Sequence, residues 1–302
     1  MNKHLLILTF SLFCLGAFAQ SGVSLTSYSI PFKLTRSNNI SIRAVLNEND
    51  TLNLMFHTSA SDLTITAETI NRLKTVNFTR TDTLKSWGGD SNAARFSGNN
   101  SLKIGEQKWE GMKIWENKNS GPETDGKFGL DLFDHQVIEI DFDKSVIIIS
   151  AALPKKAVAF TKVKLNYNDG MMFIEGLSNI GTEKLSNQFL IHSGYAGSVL
   201  FDDEFTNSHK LSNQLKVISE KSLKDSYGNV LKTKKAIMPM LTLAGVELKD
   251  IPVGFFQGAI GRQKMSILGG DVIKRFNMII DAKRNYIYLK KNKLSKQPYT
   301  DV

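Results

Sequence analysis

The sequence predicts a mainly β protein of two homologous lobes that meet at a junction. Three observations predict it. An ordered set of landmarks occurs twice in 302 residues, the segments between them alternate apolar and polar positions with many β-branched residues, and Gly, Asn and Asp turns bound those segments. A hydrophobic fraction of 41% against 22% charged residues fits a folded globular body and excludes extensive disorder.

Residues 1–19 are of a different kind. Lys3 precedes the mostly apolar run from Leu5 to Phe18, which ends in Ala17-Phe18-Ala19, the small-x-small pattern of a signal cleavage site. The run is shorter than the roughly 20 residues that cross a bilayer. It is expected to be a secretory signal, with the mature chain periplasmic or secreted and without an integral membrane span. Leu12 and Phe13, ahead of Cys14, lack the small residue that lipoprotein processing requires. Cleavage removes Cys14, the one cysteine, so disulfides and thiol chemistry are excluded from the mature chain. Loss of Lys3 leaves 37 Lys plus Arg against 29 acids, a formal charge of +8. The bases are scattered apart from short runs at Lys232–Lys235 and Lys290–Lys293, which speaks for solvated turns and against a nucleic-acid surface.

The repeat begins with Leu54-Met55-Phe56-His57-Thr58-Ser59-Ala60, matched by Phe189-Leu190-Ile191-His192-Ser193-Gly194-Tyr195. Leu102–Gly105 is matched by Leu241–Gly245, and each leads into a second strand, Met112–Trp115 or Ile251–Phe255. Gly129-Leu130-Asp131-Leu132 returns as Gly269-Gly270-Asp271-Val272. Val137–Phe142 returns as Phe276–Asp281, and each stretch turns into a last strand, Val146–Ile149 or Tyr286–Leu289. The histidines are 135 residues apart, whereas Gly105/Gly245, Gly129/Gly269 and Asp141/Asp281 are each 140 apart. Four landmarks in one order at nearly one spacing imply duplication, which sets each His loop at the lobe junction facing its twin. Short helices are expected at Ala67–Leu73 and Asp203–Thr206, with another near Asp271. Pro154-Lys155-Lys156 interrupts the strand pattern and marks the boundary. The expected organisation is 1–19 signal, 20–153 first lobe (opening on a strand region up to residue 45), 154–292 second lobe and 293–302 polar tail.

These residues resemble the pepsin and retropepsin-like aspartic peptidases, in particular the exported bacterial two-lobed kind. Each lobe of that family carries Asp-Thr/Ser-Gly after an apolar strand, and later an apolar-apolar-Gly segment. The present chain supplies His57-Thr58-Ser59 and His192-Ser193-Gly194, then Phe128-Gly129-Leu130-Asp131 and Ile267-Leu268-Gly269-Gly270-Asp271. Ser86-Trp87-Gly88-Gly89-Asp90 occupies the place of the flap hairpin that closes over substrate. The resemblance covers roughly residues 40–290. It implies a pepsin-like fold of two homologous β-barrel-like lobes with an interlobe cleft, a substrate-binding role for Trp87, Gly88 and Gly89, and a lock in which the Thr58 and Ser193 hydroxyls bridge the two loops. It breaks at the chemistry. The family's two carboxylates share a proton and activate a water, and histidine stands at both positions. Ser59 also replaces a glycine, which is expected to alter that turn.

For His57 and His192 three readings stand side by side: rings satisfied by backbone and hydroxyl groups after loss of function, a working acid-base pair, or two metal ligands wanting a third from Asp62, Asp202 or Asp203. Two ligands are too few, so no metal and no cofactor is expected. His135 and His209 lie in no motif and are read as surface residues. Asp131, Asp271, Asp141 and Asp281 are read as turn-makers, and Trp109 and Trp115 as packing residues or cleft lining. The resulting expectation is a pseudoenzyme, a relative lacking the usual peptidase activity that binds an extended peptide or protein segment in the cleft. The alternatives are a hydrolase with a His-based or metal-assisted site, and a structural or partner-binding protein with a collapsed cleft.

Overall fold

The computed structural model describes residues 27–85, 91–118, 120–224, 230–258 and 263–300. The signal segment and Cys14 lie outside the described residues. The first lobe runs β1 (Tyr28–Pro31), β2 (Lys33–Leu34), β3 (Ile40–Leu46), β4 (Asp50–Phe56), β5 (Leu63–Thr66), α1 (Ala67–Ile70), β6 (Arg80–Lys85), β7 (Ser91–Ile104), β8 (Gln107–Asn117), β9 (Gly126–Phe128), β10 (Val137–Asp141) and β11 (Val146–Ser150). The second runs β12 (Thr161–Lys164), β13 (Asn166–Asn168), β14 (Met171–Ile180), β15 (Glu183–Ile191), β16 (Val199–Leu200), α2 (Asp203–Ser208), α3 (Leu211–Gln214), β17 (Lys216–Lys224), β18 (Val230–Leu243), β19 (Val246–Gly258), β20 (Ser266–Leu268), α4 (Gly270–Ile273), β21 (Phe276–Ile280) and β22 (Tyr286–Lys291).

The duplication read from the sequence is reproduced strand for strand. The first-lobe sheet has the order β2-β3-β4-β9-β5-β8-β7-β6 and the second β13-β14-β15-β20-β16-β19-β18-β17. Pairings β3–β7 and β14–β18 close each sheet into a six-stranded barrel. Alternation explains the closure. In β3 every second side chain is buried, so one face fills the barrel and the other meets solvent.

A third sheet, β1-β11-β10-β21-β22-β12, takes three strands from each lobe and joins them where Ile138, Glu139 and Ile140 pair with Ile280, Ile279 and Met278. β10 is buried at every residue because it lies in the middle of this sheet. Glu139, a buried charge in this strand, is met by Lys156 from the 3-10 turn that follows Pro154. Ile138, Ile140, Ile147, Ile149, Met278, Ile280 and Ile287 are all nearly solvent-free here. Burying each such side chain contributes about 1.5–3 kcal/mol, so this sheet holds the lobes in one fixed relation and fixes where the His loops meet.

The expected helices form, but α1 stops at Ile70 rather than Leu73. Its start is fixed by Thr66, whose Oγ1 accepts the Thr69 N–H. The polar segment after β22 is docked. The buried Arg275 guanidinium donates to the carbonyls of Leu294, Ser295, Gln297 and Pro298 and stacks 3.7 Å over the Tyr299 ring. Among the described residues no helix is long and apolar enough to cross a membrane.

Candidate functional site

Each His loop leaves the end of a barrel strand and is clamped by a neighbour running parallel to it. β4 pairs with β9 and β15 with β20, so the His57 N–H donates to the Phe128 carbonyl and the His192 N–H to the Leu268 carbonyl, both at 2.9 Å. A turn follows in each, with Ala60 N–H donating to His57 O and Tyr195 N–H to His192 O at 3.1 Å. The next residue of each supporting segment must be glycine. A Cβ on Gly129 would lie 1.8 Å from the Ala60 carbonyl oxygen, and one on Gly269 would lie 2.1 Å from that of Gly197.

The loops are tied across the lobe junction by four reciprocal bonds. Thr58 Oγ1 donates to the Ile191 carbonyl (2.6 Å) and accepts the Ser193 N–H (3.0 Å). Ser193 Oγ donates to the Phe56 carbonyl (2.8 Å) and accepts the Thr58 N–H (3.0 Å). Thr58 and Ser193 are almost fully buried, so every one of these groups is satisfied without water, which an unpaired buried group would be unable to match. Ser59 Oγ adds a bond to Ile191 O at 3.0 Å, and Asn39 Nδ2 one to Ser193 O at 2.9 Å.

Above this lock the two imidazoles face each other, ring centroids 4.5 Å apart at 69°. Burial holds the His57 pKa well below the ordinary 6.5, helped by His192 and by the Lys127 charge. Burial takes His192 down to about 4, with Lys127 again unfavourable to its cation. The pair is therefore neutral at neutral pH. His57 Nδ1 accepts the Ser59 N–H at 3.1 Å, which places the ring proton on Nε2.

A solved structure, the aspartic proteinase from Irpex lacteus, matches 90% of this chain and 99% of its own length with a TM-score of 0.57 and 11% identity. The fold is that of a pepsin-like aspartic proteinase. No family model and no curated protein matches the sequence. At 11% identity the likeness is one of architecture: two barrel-like lobes around a junction, and here that junction carries imidazoles.

Of the residues singled out in the sequence, His57, His192, Thr58, Ser59, Ser193 and Gly194 come together in this one cluster. Trp87, Gly88 and Gly89 lie outside the described residues, between the paired strands β6 and β7. Ser59 leaves its turn unstrained, since neither it nor Gly194 has a left-handed φ. The candidate third metal ligands are committed elsewhere. Asp202 caps α2 by accepting the Phe205 N–H (2.7 Å) and takes the Ser266 hydroxyl (2.6 Å), and Asp203 accepts the Gln263 N–H (3.2 Å). Asp62 is exposed, its N–H held by Asp131. Among the described residues no group of three His, Cys, Asp or Glu side chains stands close enough to hold a metal ion.

Two readings are corrected. His209 is partly buried, its ring 4.6 Å from that of Phe205 at the end of α2, whereas His135 is exposed as expected. Asp141 and Asp281 do make turns, accepting the Lys144 and Tyr286 N–H groups, but Asp271 does not. It is buried and takes Lys274 Nζ at 2.8 Å, Arg275 at 3.3 Å and Thr300 N–H at 2.7 Å. The reason is spacing: the turn that ends α4 carries Lys274 and Arg275, three and four positions on, round to the face of Asp271. Trp109 and Trp115 pack in the first lobe, against Phe133 and Phe96. Lys127 was not anticipated. Its signal was present, because the 140-residue spacing sets it against Ile267, a charge facing an apolar residue in the duplicated supporting strand.

Proposed function

We propose that the chain is an exported, non-catalytic protein of this fold that binds an extended peptide or protein segment along the interlobe cleft, where such a segment adds to exposed strand edges. The observation that carries this reading is the imidazole pair at the lobe junction, held by an intact lock. Aspartic peptidase chemistry needs two carboxylates sharing one negative charge to orient and deprotonate water. Two neutral imidazoles beside a lysine supply no such charge. A hydroxyl nucleophile is no substitute, because Thr58 and Ser193 both donate to carbonyls in the lock and neither hydroxyl is offered to a substrate. Catalytic groups have changed while the hydrogen bonds that shape the junction remain, the combination expected of a binding site that has outlived hydrolysis.

Incubation of the mature protein with a peptide library from pH 4 to pH 7, with and without zinc, scored by mass spectrometry for cleavage and retention, tests this. The expected result is saturable retention of a peptide subset, no cleavage, and no response to pepstatin-type inhibitors. Pepstatin-sensitive cleavage at pH 4 would defeat the non-catalytic reading, and zinc-dependent cleavage near neutrality would favour a metal-assisted hydrolase. Absence of retention leaves a structural role with a collapsed cleft.

A further inference from the structure

We propose that the lobe junction is a carboxylate-binding site formed by Lys127, His57 and His192. The inference rests on the peptide-binding reading and names the group that such a ligand presents there: an acidic side chain or a chain terminus.

Lys127 sits in the middle of β9, in register with Met55 of β4 and Thr64 of β5, and between the buried residues Gly126 and Phe128. Phe128 is the residue whose carbonyl holds the His57 N–H, so Lys127 is one residue from the clamp on the imidazole. The fold does not need a lysine here. In the twin strand β20 the same place is filled by Ile267, which is buried and apolar. Lys127 is half-buried, and among the described residues its side chain makes no hydrogen bond or ion pair. A cation taken partly out of water without a partner is costly, and burial accordingly lowers its pKa. The same charge acts on both imidazoles and disfavours the cation of each.

The polarity of the rings agrees. With Nδ1 of His57 occupied by the Ser59 N–H, Nε2 is a donor, and among the described residues no group accepts its proton. The junction thus combines an ammonium and an oriented N–H donor, partly desolvated, and among the described residues neither is paired with an anion. What it lacks is one negative charge carrying at least two acceptor oxygens. A carboxylate supplies that, in a charge-assisted pair with Lys127 and a second bond from His57. A phosphate dianion leaves one charge and one oxygen unmatched. The site is an inverted form of the fold's usual one: the carboxylate comes with the ligand and the donors belong to the protein.

The test uses three peptides, acetyl-Ala-Val-Glu-Val-Ala-amide, its Gln counterpart, and the Gln peptide with a free C-terminus, measured by calorimetry at pH 7 against wild type and Lys127→Ile. The variant copies the second lobe, so folding is expected to be retained. Acetate is titrated in parallel while the histidine ring resonances are followed by NMR. The expected result is about tenfold tighter binding of a carboxylate peptide than of the neutral one, a preference abolished in Lys127→Ile, and acetate-induced shifts of His57 in wild type alone. Preference for the Glu peptide over the free-terminus peptide, or the reverse, identifies the source of the carboxylate. Equal affinity for all three peptides without an acetate shift overturns the carboxylate site while leaving peptide binding standing. An acetate shift that depends on Lys127, with no peptide bound, upholds the site and overturns the peptide reading. Neither binding nor shift overturns both.

Discussion

The two lobes repeat one strand order, and at the junction they share their backbone bonds and differ in their side chains. Both His N–H groups still donate to a supporting carbonyl at the same 2.9 Å, and both hydroxyls still cross the interface. The third loop residue differs. A Cβ on Gly194 would stand 2.3 Å from His57 Nε2 and 2.4 Å from Cδ2, so the second lobe gives up a side chain to make room for the ring of the first. Ser59 has room for its own and uses it to bond Ile191. The helical turns after the supporting strands differ as well, the 3-10 turn Leu130–Phe133 in the first lobe and α4 in the second. Asp271 is fully buried between Lys274 and Arg275, and although burial alone pushes its carboxyl up, Lys274 and Thr300 hold it below the usual range. Asp131, its twin, is raised by burial, which the Asp62 N–H only partly offsets. The two lobes share the bonds that set geometry, while the electrostatics around those bonds differs.

The largest expected effect separates those two aspartates. Asp271→Asn leaves Lys274 and Arg275, both nearly solvent-free, without their anion, and a loss of about 3–5 kcal/mol in urea unfolding is expected. Asp131→Asn is expected to cost less than about 1 kcal/mol, since Asp131 is exposed and its bond from the Asp62 N–H lies at the surface. Equal losses would mean that the helices are electrostatically alike. Next comes the loop pair. Gly194→Ala forces the His57 ring aside and is expected to cost about 1–3 kcal/mol, whereas Ser59→Ala removes one hydroxyl bond worth about 0.5–1.5 kcal/mol. If Ser59→Ala proves the more damaging, His57 does not lie over Gly194.

A smaller effect separates pH values. Both histidines have folded-state pKa values below the unfolded 6.5, so below pH 6.5 the unfolded chain takes up protons that the native state refuses. Stability present above pH 6.5 is therefore lost as pH falls toward 4. The part due to His192 amounts to about 2 kcal/mol between pH 8 and pH 5. The double variant His57→Gln, His192→Gln should lose less than wild type over that range when thermal unfolding is compared. Parallel profiles would show that the rings titrate as they do in the unfolded chain.

The fold was legible because a repeat at constant spacing carries long-range information that local patterns lack: landmarks 140 residues apart in one order forecast the twin barrels and the meeting of the His loops. The lock was legible through the resemblance, which attached a role to Thr58 and Ser193. Less legible were contacts with no counterpart in the other lobe. Asn38 and Asn39 sit in a turn before β3 and reach across to Ala196 and Ser193, a partnership that depends on how the lobes dock. The Asp271 cluster was written in the spacing of Asp271, Lys274 and Arg275, but its burial comes from the docked segment through Thr300, which polarity alone made look like a free tail.

The central claim is that two histidines form a neutral, desolvated pair at the lobe junction. Histidine side-chain NMR from pH 8 to pH 4 tests it most directly. The account predicts that His57 stays neutral well below pH 6.5 as the Nε2–H tautomer, that His192 has its midpoint near 4, and that replacing Lys127 by Ile raises both midpoints. Midpoints near 6.5 for both rings, unmoved by the Lys127 variant, would contradict it.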